Sequence, residues 1–114
     1  MLLLLFVATC VLIGSHVKSR CKEAKQAYGM ELDCVSALTM LVNDENQDFR
    51  PRNNAIWALG QLGDSRALTA LQKYYTGNIP AKESLDRAIS QYELKKAINL
   101  ARGGLNLTAI FWRK

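Results

Sequence analysis

Between Arg52 and Tyr75 the chain reads R-N-N-A-I-W-A-L-G-Q-L-G-D-S-R-A-L-T-A-L-Q-K-Y-Y. That stretch predicts two short amphipathic helices joined at a tight Gly63-Asp64 corner. Part of the pattern is present earlier: Ala37-Leu38-Thr39 and Leu41 recur as Ala67-Leu68-Thr69 and Leu71, 30 residues on. Self-similarity at this period marks a helical repeat, in which one helix pair cannot bury its own apolar face and stacks on the next. The expected fold class is all-α: a short α-solenoid of helical hairpins preceded by an N-terminal apolar helix. No β-hairpin signal is present.

The helices follow from local signals. Asp33 is placed to cap a helix to about Asn43 with Val35, Leu38, Leu41 and Val42 on one face. Residues 43–48 are polar and acidic, a loop. Pro51 fits the first turn of the next helix, which carries Ala55, Ala58, Leu59 and Leu62 to a stop at Gly63. Asp64 caps its successor, with Ala67, Leu68, Leu71 and Tyr75 on one face. Leu85, Ala88, Ile89 and Tyr92 predict a further short helix near 83–89. The stripe then changes phase at Ser90-Gln91-Tyr92-Glu93. That is a capping box flanked by Ile89 and Leu94 as a hydrophobic staple, so a separate helix is expected over 91–102. Gly103-Gly104 ends it. The last ten residues have strand-like propensity and no evident pairing partner.

At 114 residues the chain makes one domain at most. Four stretches are expected: residues 1–17 as a signal or membrane-anchor segment, 18–32 as a linker or juxtamembrane helix, 33–104 as the helical domain and 105–114 as a C-terminal tail. The run Met1 to Ile13 is shorter than the ~20 apolar residues of a spanning helix and close to a signal-peptide core. No Lys or Arg precedes it. Three readings compete: cleavage after Ser15 or Ser19, an uncleaved anchor lengthened to Val17 with Lys18 and Arg20 snorkelling to the interface, or a start further upstream. A buried helix of a soluble core fits thirteen unpatterned apolar positions less well. The basic residues after the run favour retention on the cytoplasmic side. The cysteines point the other way. Cys21 and Cys34 could meet if Gly29 turns the chain back, and such a bridge persists only in an oxidising compartment. Two ordinary buried thiols are the alternative. Cys10 follows Val7-Ala8-Thr9, a poor fit to a lipidation site because of the Thr.

Residues Arg50 to Tyr75 resemble a HEAT-like repeat of the short kind first noted in phycobilisome lyases. The resemblance is carried by Arg52, Ala55, Ala58-Leu59-Gly60, Leu62-Gly63-Asp64 and Ala67-Leu68 with Leu71. Cys34 to Asp44 looks like the second helix of a preceding, degenerate repeat. The likeness implies a stacking fold and is almost silent on function. With a single clear repeat, the segments before residue 33 and after residue 79 must act as caps, or a partner must supply the missing layer.

No chemistry is legible. His16 is the sole histidine and lies beside the apolar run. One His and three Cys without CxxC spacing do not make a zinc site. No Gly-rich phosphate loop is present, and Asp44, Glu45 and Asp48 lack EF-hand spacing. The expectation is therefore no enzyme activity, no cofactor and no metal. What remains is binding. Arg52, Asn54, Trp57, Gln61, Lys73 and Tyr74 are the candidate partner-binding residues, with Arg52 alternatively reaching the carbonyl end of a neighbouring helix and Trp57 alternatively packing on one. Phe111-Trp112-Arg113-Lys114 pairs aromatics with basic residues, which suits a membrane interface or a fold-back over helix 91–102. Asn106-Leu107-Thr108 is a glycosylation sequon if the source secretes through a eukaryotic pathway.

The leading expectation is a membrane-anchored or exported HEAT-like module acting as a protein-interaction scaffold. The alternative is a membrane-surface or nucleic-acid binding module driven by the net charge of +5. The basic residues are scattered and form no recognisable nucleic-acid module. Steep salt dependence would mark the charge-driven alternative.

Overall fold

The computed structural model describes residues 2–104 and 106–113, and the side chains of Leu107, Thr108 and Phe111 lie outside the description. Six α-helices are described: α1 (Leu2–Tyr28), α2 (Cys34–Asn43), α3 (Phe49–Leu62), α4 (Leu68–Tyr74), α5 (Gln91–Ala101) and α6 (Leu107–Trp112), with a 3₁₀ turn at Ser65–Ala67 leading into α4. No strand occurs among the described residues. The fold is all-helical, in keeping with a HEAT-like stack.

Each boundary has a local cause. Gly29 closes α1 at φ 147, its N–H bonded to the Lys25 carbonyl. The Asp33 carboxylate accepts from the Ser36 N–H at 2.8 Å and starts α2. Gly63 takes the left-handed conformation (φ 64) and returns its N–H to the Leu59 carbonyl, so the chain breaks at the expected corner. Asp64 accepts from the Arg66 N–H and opens the 3₁₀ turn. Ser90 caps α5 by accepting from the Glu93 N–H.

α3 is the central rod. It packs on α2 and α1 on one side and on α5 on the other. One apolar core unites them, with Leu38, Val42, Ile56, Leu59, Leu71 and Leu94 fully buried. α4 leans on α5 and α2 and meets α3 through side chains of this shared core. The small residues of α3 serve α5: a Cβ added at Gly60 would lie 2.9 Å from the Ala97 Cα. Leu41, Leu62, Leu68 and Tyr75, expected on the inner faces, are half-buried at the edge of that core.

Three expectations are corrected. Residues 83–89 are not a helix but a turn-rich connector. Asn53, inside α3, donates from Nδ2 to the carbonyls of Leu85 and Ala88, both at 2.9 Å, which takes the acceptors a helix would use. Ala88 and Tyr92, expected on its apolar stripe, are exposed. The capping box is incomplete, because the Ser90 N–H donates to Asn53 Oδ1 at 2.8 Å and Glu93 pairs instead with Lys96 at 2.7 Å. The C-terminal segment is helical where strand propensity was expected: Asn106 caps α6 by accepting from the Ala109 N–H, and α6 packs on α1.

α1 is one continuous rod, long and apolar enough to cross a membrane. A signal sequence near an N-terminus meets the same description. Its buried positions are Cys10, Gly14, Val17, Cys21 and Ala24, a helical stripe against the rest of the fold. Leu2, Leu3, Leu4, Leu5, Val11 and Leu12 are all exposed. The sulfurs of Cys21 and Cys34 are at bonding distance, with Cα atoms 5.2 Å apart, and tie α1 to α2. Cys10 is a free, buried thiol. The Tyr28 hydroxyl donates to Asp44 at 2.6 Å, a second tie between α1 and the far end of α2. Burial, followed by that carboxylate, pushes the phenol up to about 12.

Candidate interaction surface

The six candidate residues fall into two places. Arg52 is buried (4% exposed), and its Nε donates to the Val42 carbonyl at 2.9 Å. It therefore closes the carbonyl end of α2 and does not present its charge to solvent. Its guanidinium lies 5.4 Å from the Tyr74 ring centre and 5.7 Å from that of Phe49. Tyr74 is half-buried, and its carbonyl accepts from Gln91 Nε2 at 3.0 Å. Lys73 is exposed, with its ammonium 5.2 Å from the Tyr74 ring centre. These three residues join α2, α3, α4 and the start of α5.

Asn54, Trp57 and Gln61 form the second group. Their i, i+3, i+7 spacing puts them on one face of α3. All three are half-buried. Asn54 and Trp57 line a cleft with His16 and Arg20 of α1. On its other side Trp57 lines a second, smaller cleft with Gly60, Gln61, Glu93, Lys96, Ala97 and Leu100, between α3 and α5. Trp57 is thus a ridge on the floor of a groove walled by α1 and α5. Arg20 holds Glu23 at 3.1 Å, and its buried Nε has no hydrogen-bond partner among the described residues. Glu93 and Lys96 pair on the opposite wall.

The C-terminal segment closes one end of this groove. Asn106 Nδ2 donates to Gln61 Oε1 at 2.9 Å, and the Arg113 Nε donates to the Gln61 carbonyl at 2.7 Å. Gln61 is therefore already engaged within the chain. Trp112 packs against α1 beside Gly14, where an added Cβ would lie 3.0 Å from the Trp112 Cβ. So Trp112 folds back on α1 and Arg113 on the end of α3, not over α5. Lys114 and the Phe111 side chain lie outside the described residues, as does the Thr108 side chain of the sequon.

A different groove was not legible as a site. Val17, Lys18, Cys21, Lys22 and Lys25 of α1 line a cavity of about 560 Å³ with Met30, Cys34, Leu62, Trp112 and Arg113. The i, i+4, i+7 spacing of the lysines was the available signal; what the sequence did not show was that Trp112 and Arg113 return to meet them. Among the described residues no three or more His, Cys, Asp or Glu side chains converge as a metal site would require.

Comparison with known proteins identifies the repeat. Residues 51–76 match the PBS lyase HEAT-like repeat. The chain is 34% identical over 67 residues to a deoxyhypusine hydroxylase of Schizosaccharomyces pombe, a match covering 57% of this chain and 21% of that protein. The chain thus spans about a fifth of its relative's length. No solved structure matches. The repeat expected from Arg50 to Tyr75 is present, and HEAT-like repeats commonly mediate protein interactions. The expectation of no enzyme activity is corrected by the second match, because the similar protein is an enzyme.

Proposed function

We propose that this chain is a HEAT-like interaction module held at a membrane by α1, and that it docks a segment of a protein partner in the groove floored by Asn54 and Trp57. The observation that carries the reading is the half-buried Trp57 ridge between α1 and α5. A large aromatic in a partly desolvated groove is the kind of residue that dominates binding energy, and a groove between helices suits an amphipathic helix. Arg52 and Tyr74 hold the stack together and position α3. Lys73 stands outside the groove.

The membrane part rests on the exposed apolar half of α1 and on its buried half being part of the fold. Retention of α1 keeps the Gly14–Trp112 contact, while the Cys21–Cys34 tie lies beyond both candidate cleavage points. The tie suits an oxidising compartment.

A photo-crosslinking residue at Trp57, in the full chain in its native membranes, tests the docking reading. A discrete adduct from position 57, absent when the probe sits at exposed Glu45, is expected. No adduct, or the same adduct from both positions, overturns it.

A second reading is favoured by the hydroxylase relative: the module contributes to an enzyme acting on a deoxyhypusine-containing protein. Hydroxylation of deoxyhypusine by the purified chain supplied with dioxygen and a reductant, read as the gain of one oxygen in mass, supports it. No incorporation, by the chain alone or with its crosslinked partner, removes it.

A further inference from the structure

The α1 stripe facing α6 changes character along its length. Near its start, Phe6, Val7, Cys10 and Val11 line an apolar groove of about 180 Å³ with Trp112. Two turns further on, Trp112 also lines the larger cavity carrying Lys18, Lys22, Lys25 and Arg113. The two hollows share one wall and lie along one face of one helix. Among the described residues four cations line the second and no carboxylate does. Among the described residues none of the three lysines is in an ion pair. Arg113 spends its donors on a neutral carbonyl, and among the described residues no carboxylate pairs with it.

We propose that α1 and α6 bind one anionic phospholipid, with its phosphate among Lys18, Lys22, Lys25 and Arg113 and an acyl chain along Phe6, Cys10, Val11 and Trp112. The proposal rests on the membrane-held reading above. The dimensions agree with it: from residue 6 to residue 18 a helix rises about 18 Å, against ~15 Å for half of a bilayer's hydrocarbon core. The lysines then stand at headgroup level with their stems along the apolar wall, and Trp112 lies at the boundary, where indole rings concentrate. The exposed leucines Leu2 to Leu5 belong to the same lipid-facing half. The anionic preference follows from unpaired basic charge at a membrane surface. A helix merely lying in lipid needs no cationic cavity; a lipid held by its headgroup does.

Native mass spectrometry of the full chain, released from micelles containing phosphatidylglycerol or phosphatidylcholine, reads the site. One phosphatidylglycerol should be retained at collision energies that strip phosphatidylcholine. Replacing Lys18, Lys22 and Lys25 together by Gln should lower retention at least tenfold. Replacing exposed Lys82, Arg87 and Lys95 by Gln removes the same charge elsewhere and should leave it unchanged. In a Trp57→Phe background, phosphatidylglycerol with brominated acyl chains should quench Trp112 fluorescence. Equal retention of both lipids, equal loss in the two triple variants, or displacement by soluble glycerol phosphate would overturn the lipid site. Alkaline extraction distinguishes the two levels. A chain that stays with membranes but shows no lipid preference loses only the site. A wild-type chain that washes off loses the membrane-held reading and the site with it.

Discussion

Gly60 sits where α3 and α5 touch backbone to backbone. An added methyl group would meet the Ala97 Cα at 2.9 Å and its Cβ at 3.0 Å, so a helix must move to admit it. Gly60→Ala is expected to lower stability by about 1–3 kcal/mol despite its better helix propensity, measured by denaturant unfolding. Unchanged or raised stability would show that α5 does not press there. A second residue-scale consequence concerns acid. Asp33 and Asp64 share Arg66, with contacts at 2.7 and 2.9 Å. Arg66, and then the backbone N–H bonds, hold both carboxyls below the usual carboxylate range. Their folded values are depressed, so the stability they give is fully present above the unfolded value of about 3.9 and is lost gradually as pH falls from there through the lower folded values. The pair is exposed, so the effect is small. The melting-temperature gap between wild type and Arg66→Ala should be open at about pH 6 and should narrow progressively once pH falls below about 4, as the depressed folded values are approached. A gap that persists in acid would show that Arg66 acts by packing alone.

At the scale of elements, the segment between α4 and α5 is organised from a distance. Asn53 uses both ends of its amide to hold Leu85, Ala88 and Ser90. Glu83 closes the same knot, accepting from the Ser90 hydroxyl and the Gln91 N–H, both at 2.7 Å. Asn53→Ala is expected to cost about 2–3 kcal/mol by leaving buried groups unpaired, and to raise amide exchange across 83–91 more than in α2. Exchange that rises uniformly would contradict a local role. This knot also explains what the sequence hid. Caps and breaks were legible because Asp33, Gly63, Asp64 and Ser90 act on their own neighbours. The stripes of α2, α3 and α5 were legible because each helix buries one face. The 83–89 connector was misread because its apolar spacing was helical while its hydrogen bonds come from Asn53, some thirty residues away. The C-terminal helix was misread for a similar reason: its stability comes from α1 and Gln61, which propensity does not see. Within the candidate surface, Trp57 and Asn54 were readable as a stripe, but burial of Arg52 and engagement of Gln61 depended on partners distant in sequence.

At the scale of the molecule, α1 does two jobs. Its exposed leucines face outward near the start, and its Cys10–Gly14–Val17–Cys21–Ala24 stripe is one side of the fold. A chain cleaved after Ser15 would lose the wall against which Trp112 packs. One after Ser19 would lose Val17 as well, a fully buried core residue. The central claim, a helical stack welded to the helix proposed to hold it at a membrane, is tested most directly by intact mass of the membrane-fraction protein, alkylated under denaturing conditions with and without prior reduction. The account predicts that residues 2–19 are retained, with one alkyl group at Cys10 before reduction and three after it. A mature chain beginning at His16 or Arg20, or three alkyl groups without reductant, would contradict it.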